Sequence, residues 1–174
     1  MSHDPDPAGV RRTIPDPGFA GDDGSADAAL AAALEAFAVD PERHLEAFLA
    51  LQSARVLVPV IAIPGDVEVD AAGLASEKTS DMATLLITGR DGRQALPAFT
   101  STQTLAAWRP DARPVPVAAP LAARSAVQGG ADALLLDVAG PTTYVVEGEL
   151  LQGLARGWVL ERIGDELAWR PDVE

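Results

Sequence analysis

The run Asp91–Trp108, DGRQALPAFTSTQTLAAW, holds a turn, an apolar strand, a helix cap and a tryptophan in direct succession. Asp-Gly is a strong two-residue hairpin signal, because the tightest hairpin turns need positive φ at their centre. Gly89-Arg90-Asp91-Gly92 is therefore expected to join two strands, Asp81–Thr88 (DMATLLIT) and Arg93–Phe99, as an antiparallel hairpin. Leu96 and Phe99 are read as facing the core on alternating strand positions. Thr100 stands three residues before Gln103, the spacing of a capping box, which predicts a short helix through Trp108.

Upstream, Leu30, Leu34 and Phe37 fall at helical spacing in an Ala-rich background. Asp40-Pro41-Glu42 then starts a second helix whose apolar face is Leu45, Phe48 and Leu49, since Asp is a good N-cap and Pro is tolerated at the first helical position. Val56–Ile63 is a β-branched run, and Pro59 inside it points to an edge strand or a bulge. Downstream, Arg113–Val117 (RPVPV) reads as a short edge segment and Pro120–Gln128 as a helix stopped by Gly129-Gly130. Ala133–Val138 and Thr142–Val146 form another strand pair, Glu149–Arg156 a helix closed by Gly157, and Trp158–Ile163 with Glu166–Trp169 a last hairpin.

Helices and hairpins interleave, so the expected class is α+β: one domain, with a mixed or largely antiparallel sheet covered by helices. Residues 1–25, rich in Pro, Gly and Asp, are expected to be a disordered tail, and residues 26–174 the domain. Within that tail the cluster Asp22-Asp23-Gly24 reads as solvated.

The net charge of -13 repels phosphate, which argues against nucleic acid and anionic membranes as partners. The acidity serves solubility or a basic target. With no cysteine there are no disulfides, thiolate nucleophiles or Cys-zinc sites. The apolar runs are too short for a membrane helix and the start of the chain does not resemble a secretory signal, so a cytoplasmic protein is expected.

Phosphate-loop, dinucleotide-binding and nucleophile-elbow patterns are all missing. His3 and His44 are the two histidines, too few and too far apart for a histidine metal site. No metal and no cofactor is expected, and nothing selects a pair of carboxylates as general acid and base. Two clusters remain. Ser76–Asp81 (SEKTSD) contains Lys78, the one lysine of the chain, beside Ser80; it is either a loop offering an ammonium and hydroxyls to an anion or a solvated turn. Trp108 precedes Arg109 and is either a recognition residue or a lid on the core.

The stretches Ser76–Met82 (SEKTSDM), Gly89–Thr100 (GRDGRQALPAFT), Leu105–Trp108, RPVPV and Ala133–Val138 (ALLLDV) together resemble the SseB family, specifically its N-terminal domain. The resemblance covers about residues 27–156 and implies a cytoplasmic bacterial domain of a type common in actinobacteria. It brings no catalytic residues. The family is named for a serine-sensitivity phenotype.

The function expected on these grounds is a non-enzymatic protein-binding or regulatory module. Its candidate contact residues are Lys78, Ser80, Arg93, Thr100, Ser101 and Trp108, on a surface formed by the Ser76–Asp81 loop, the Arg90–Arg93 turn and the helix start. The alternatives are a small-molecule sensor or enzyme tied to amino-acid metabolism, and an interaction protein that turns its acidic surface toward a basic target.

Overall fold

The computed structural model describes residues 19–63, 68–69, 75–76 and 81–171. Its elements run α1 (Ala28–Val39), a 3₁₀ turn (Pro41–Arg43), α2 (His44–Leu51), β1 (Arg55–Ile63), β2 (Glu68–Val69), β3 (Ala75–Ser76), β4 (Asp81–Thr84), β5 (Ile87–Thr88) and β6 (Gln94–Ala98). They continue α3 (Thr102–Trp108), β7 (Arg113–Ala118), α4 (Ala119–Gln128), β8 (Ala133–Leu136), β9 (Tyr144–Glu147), α5 (Gly148–Ala155), β10 (Trp158–Ile163) and β11 (Glu166–Pro171). This is an α+β domain.

Two sheets, ordered β4-β1-β7 and β5-β6-β8-β9, meet at one point. There Leu57 and Phe99 exchange backbone hydrogen bonds: Leu57 N–H donates to the Phe99 carbonyl (2.7 Å), and Phe99 N–H to the Leu57 carbonyl (2.8 Å). Beyond this contact β4 bonds to β1 and β5 bonds to β6. The sequence Asp81–Thr88, expected as one strand, is thus divided between two partners. Only β6 and β8 run parallel, as the long α3–β7–α4 connection between them permits.

The hairpin turn also differs from its expected form. Gly92 has φ of 81° but Asp91 is not left-handed, and Gly89 N–H donates to the Arg93 carbonyl (2.8 Å). One positive φ at Gly92 is the mark of the longer, bulged hairpin loop rather than of the two-residue turn.

Strand alternation sorts the core. Val56, Val58, Leu96, Ala98, Leu134, Leu136, Tyr144 and Val146 face α1, α2, α4 and α5, with Leu30, Phe48, Leu51, Leu151 and Leu154 among the residues they bury. Leu57 and Phe99 face the other way, toward Leu105 and Ala112, with Ile61, Trp108 and Val138 at the margin. Leu96 and Phe99, expected to face the core, are both fully buried; three residues apart on the chain, they lie on opposite faces of the sheet, in the larger and the smaller core.

Pro59, read as a sign of an edge, lies in a central strand. Leu57 directs its N–H toward Phe99, so alternation aims the vacant nitrogen of Pro59 at the same edge, where pairing with Phe99 has ended and pairing with β4 begins only at Val60. No ladder bond is lost. On β7, Pro114 and Pro116 lie opposite Pro59 and Leu57 and aim away from β1, which leaves β7 at the sheet edge as RPVPV predicts.

Part of the segment expected as a tail makes contacts with the domain. Residues 19–25 lie among the described ones, and Asp22 meets Arg55 through Nε–Oδ2 (2.5 Å) and Nη2–Oδ1 (2.8 Å), with the two side chains 12% and 13% exposed. Arg55 also donates to the carbonyls of Thr100 (2.9 Å) and Ser25 (2.5 Å), and Thr102 N–H donates to the Gly24 carbonyl (2.9 Å). Asp22 is therefore a partly buried ion partner and not a solvated acid. Residues 1–18 fall outside the described chain.

Tyr144 sits at the centre of the helix-covered face. Its ring packs edge-on against Phe37 (5.2 Å) and tilted against His44 (5.0 Å), and its hydroxyl donates to the His44 carbonyl (2.9 Å). Burial pushes the hydroxyl pKa well above its ordinary 10.0. A raised folded-state pKa supplies stability that is present below pH 10 and falls away as pH rises through the alkaline range, because the unfolded chain ionises first. Tyr144 is the one tyrosine of the chain, so tyrosinate absorbance reports on it alone. In an alkaline titration that absorbance should appear only together with unfolding. Tyr144→Phe should remove the alkaline loss of stability while costing about 1 kcal/mol at neutral pH through the missing hydrogen bond.

Candidate binding groove

Of the sequence-predicted contact residues, the described ones fall at the two ends of β6. Lys78 and Ser80 lie outside the described residues. Arg93 precedes β6 and Thr100 follows it, and seven residues of extended chain separate them by roughly 23 Å.

Thr100 is buried, at 5% exposure, and fully engaged. Its N–H donates to Asp137 Oδ1 (2.9 Å) and its hydroxyl to Asp137 Oδ2 (2.7 Å). It is consequently not the helix cap. Ser101 takes that place: its hydroxyl accepts from Thr104 N–H (3.2 Å) while the Thr104 hydroxyl accepts from Ser101 N–H (3.3 Å). The capping box expected at Thr100 and Gln103 is shifted by one residue, because Asp137 claims the Thr100 donors. Trp108 closes the smaller core, its ring 5.3 Å from that of Phe99.

Asp137 is a residue the sequence reading missed. It is 5% exposed and left-handed, with φ of 51°, the one such non-glycine residue among those described. Its N–H donates to the Ala98 carbonyl (2.9 Å), and its own carbonyl accepts from Gly140 N–H (2.8 Å) and the Thr143 hydroxyl (3.3 Å). It locks the ends of β6 and β8 together at the start of α3. Asp137→Ala should lower stability by about 2–4 kcal/mol, the sum of two lost bonds and left-handed strain. Asp137→Gly keeps the backbone unstrained and should cost about 1 kcal/mol less; equal denaturation midpoints for the two would rule out the strain component.

An open groove lies elsewhere among the described residues, along α5, with a volume of about 790 Å³. Glu149, Gln152 and Arg156, three and four residues apart, lie along it on one side of α5, which forms its floor. One wall is the start of β6 and β8, with Arg93 and Asp132. The opposite wall is the C-terminal hairpin, with Trp158 and Trp169.

Each wall is held by its own contacts. Asp132 and Gln94 pair twice, Asp132 N–H to the Gln94 carbonyl (2.8 Å) and Gln94 N–H to Asp132 Oδ2 (2.9 Å). Arg93 Nη2 meets Glu147 at 2.5 Å, which raises the guanidinium pKa further, and both side chains stay half exposed. So exposed a pair is weakened by solvent screening and contributes little to stability, so Arg93 can exchange partners. The Arg156 guanidinium lies 5.1 Å from the Trp158 ring, and Trp158 keeps 36% of its surface exposed.

Trp169 anchors the hairpin. It meets Phe48 edge-on at 5.9 Å and brings the outer atoms of its six-membered ring against Gly153, where an added Cβ would stand closer than 3.0 Å to them. Gly153 is required by that approach. The sequence signal for this wall was present: two of the three tryptophans fall in the last segment of the chain, which reads otherwise only as a hairpin. Gly153→Ala should displace Trp169, lower the melting temperature and red-shift the tryptophan emission, whereas Gln152→Ala on the exposed neighbour should leave both unchanged.

Among the described residues no group of three or more His, Cys, Asp or Glu side chains could hold a metal ion. Among them, too, no helix is long and apolar enough to cross a membrane.

Comparison with known proteins returns one family. No curated protein and no solved structure matches the chain. The model of the SseB protein N-terminal domain matches residues 30–152, more than half of the 174, from α1 into α5. The match takes in the sheet and the floor and first wall of the groove. The chain belongs to the SseB family.

Proposed function

We propose that this SseB-family protein is a non-enzymatic, cytoplasmic binding module, and that the α5 groove receives a segment of a partner protein. The observation that carries this reading is the exposed Trp158 with the Arg156 guanidinium over it, in a groove whose hairpin wall also carries Trp169 and whose other wall offers Arg93. Trp and Arg are the residues that dominate binding energy at protein interfaces, where a rigid aromatic surface and a multi-donor cation gain most from being covered. The groove contains no histidine and no cysteine, the commonest groups for proton transfer and nucleophilic attack near neutral pH.

A second reading has a specific observation behind it. A volume of about 790 Å³ lies in the range that holds small ligands, which favours a metabolite sensor or enzyme.

Selection from a displayed peptide library separates the two. Peptides enriched on the full chain should bind at least tenfold more weakly to Trp158→Ala and to Arg156→Glu, with the folded baseline of each variant checked by circular dichroism. If no peptide is enriched, while an amino acid or nucleotide gives a saturable thermal shift that Trp158→Ala abolishes, the groove is a small-molecule site.

A further inference from the structure

The structure also points to a self-association surface on the strand that walls the groove: we infer that the outer edge of β11 pairs with the same edge of a second copy, joining two C-terminal hairpins into one four-stranded antiparallel sheet about a two-fold axis at Ala168.

The hairpin β10–β11 has two outer edges, and they are treated differently. On β10, Leu160 lies opposite Trp169. Leu160 N–H donates to Gln52 Oε1 (2.6 Å), and its carbonyl accepts from Gln52 Nε2 (3.1 Å). A side-chain amide thus stands in for a neighbouring strand and closes that edge. Because Leu160 aims its groups outward, Leu160 and Trp169 form a pair that exchanges no hydrogen bonds. Antiparallel alternation then turns the N–H and carbonyl of Trp169 outward as well, along with those of Leu167. Among the described residues nothing meets these four groups, and β11 has no neighbour beyond β10.

The sequence of that edge is complementary to its own reverse. Antiparallel pairing of Glu166-Leu167-Ala168-Trp169-Arg170 about Ala168 sets Glu166 against the partner's Arg170, Arg170 against the partner's Glu166, and Leu167 against the partner's Trp169, twice over. The same register places the outward groups of Leu167 and Trp169 in bond-exchanging pairs, which gives four new backbone hydrogen bonds. Ala168 falls in the non-exchanging pair, where Cα atoms approach to about 4.5 Å and a small side chain fits. A shift of one residue puts the bonding groups out of phase; a shift of two loses the charge match.

Two further observations agree. Leu167 is 44% exposed, and the partner's Trp169 would cover it. Arg170 already donates to Glu161 through Nε (3.2 Å) and Nη2 (2.6 Å), so its guanidinium is held at the edge where the partner's Glu166 would come up to it. The charges that otherwise protect an exposed edge here select one partner.

Sedimentation equilibrium of the full chain over increasing protein concentration tests the inference. The expected result is a monomer–dimer equilibrium in which the Leu167 and Trp169 amides exchange slowly in the dimer and fast in the monomer. Glu166→Arg creates two like-charged pairs and should weaken the dimer at least tenfold; adding Arg170→Glu restores opposite charges and should restore association. Leu167→Pro removes an outward N–H that the hairpin itself does not use, and should give a monomer with unchanged far-ultraviolet circular dichroism. A wild-type chain that stays monomeric at the highest concentration overturns the inference, as does a dimer left intact by both Glu166→Arg and Leu167→Pro.

Discussion

The pair of hydrogen bonds between Leu57 and Phe99 is the constraint on which the rest depends. It is the one place where β1 and β6 pair directly, and it converts two small sheets into a single layer that helices can cover on both faces. Around it lie contacts that would have no purpose otherwise. Arg55, two residues before Leu57, reaches the Thr100 carbonyl and Asp22; Thr100, one residue after Phe99, gives both its donors to Asp137. The ends of β1, β6 and β8 are fastened within a few residues of one another, and the N-terminal segment is fastened to the same point.

That geometry gives the two ends of β6 different surroundings. The end of β6 near Thr100 is occupied by internal hydrogen bonds, the Ser101 cap and the Trp108 lid. The opposite end, at Arg93, opens onto α5 and the groove. The family match ends at residue 152, inside α5, while Arg156, Trp158 and Trp169 follow it. The groove therefore combines a floor and wall within the family domain with a wall from the C-terminal hairpin, and Gly153 lets the two come together by admitting the Trp169 ring.

Much of the local structure was legible from residue type. Leu30 and Leu34 at helical spacing, the alternate prolines of RPVPV, and the glycines at 92, 130 and 157 act through their own steric and hydrogen-bonding properties, which travel with the sequence. The failures share a cause. Asp81–Thr88 was read as one strand, Thr100 as a cap, Pro59 as an edge residue and Asp22 as solvated, and in each case a residue distant in sequence decided otherwise: β1 and β6 for the first, Asp137 for the second, Phe99 and β4 for the third, Arg55 for the fourth.

The sequence by itself determined the α+β class, the order of helices and hairpins, the lack of any cysteine chemistry, and the family, because each rests on composition, on short-range periodicity, or on residue patterns that survive without coordinates. Only the tertiary structure decided which polar residues are spent and which are free. A hydrogen bond satisfies a donor wherever its acceptor comes from, so Thr100 and Arg93 look equally available in one dimension. Folding buries Thr100 against a carboxylate 37 residues away and leaves Arg93 half exposed at the groove, in a surface pair with Glu147.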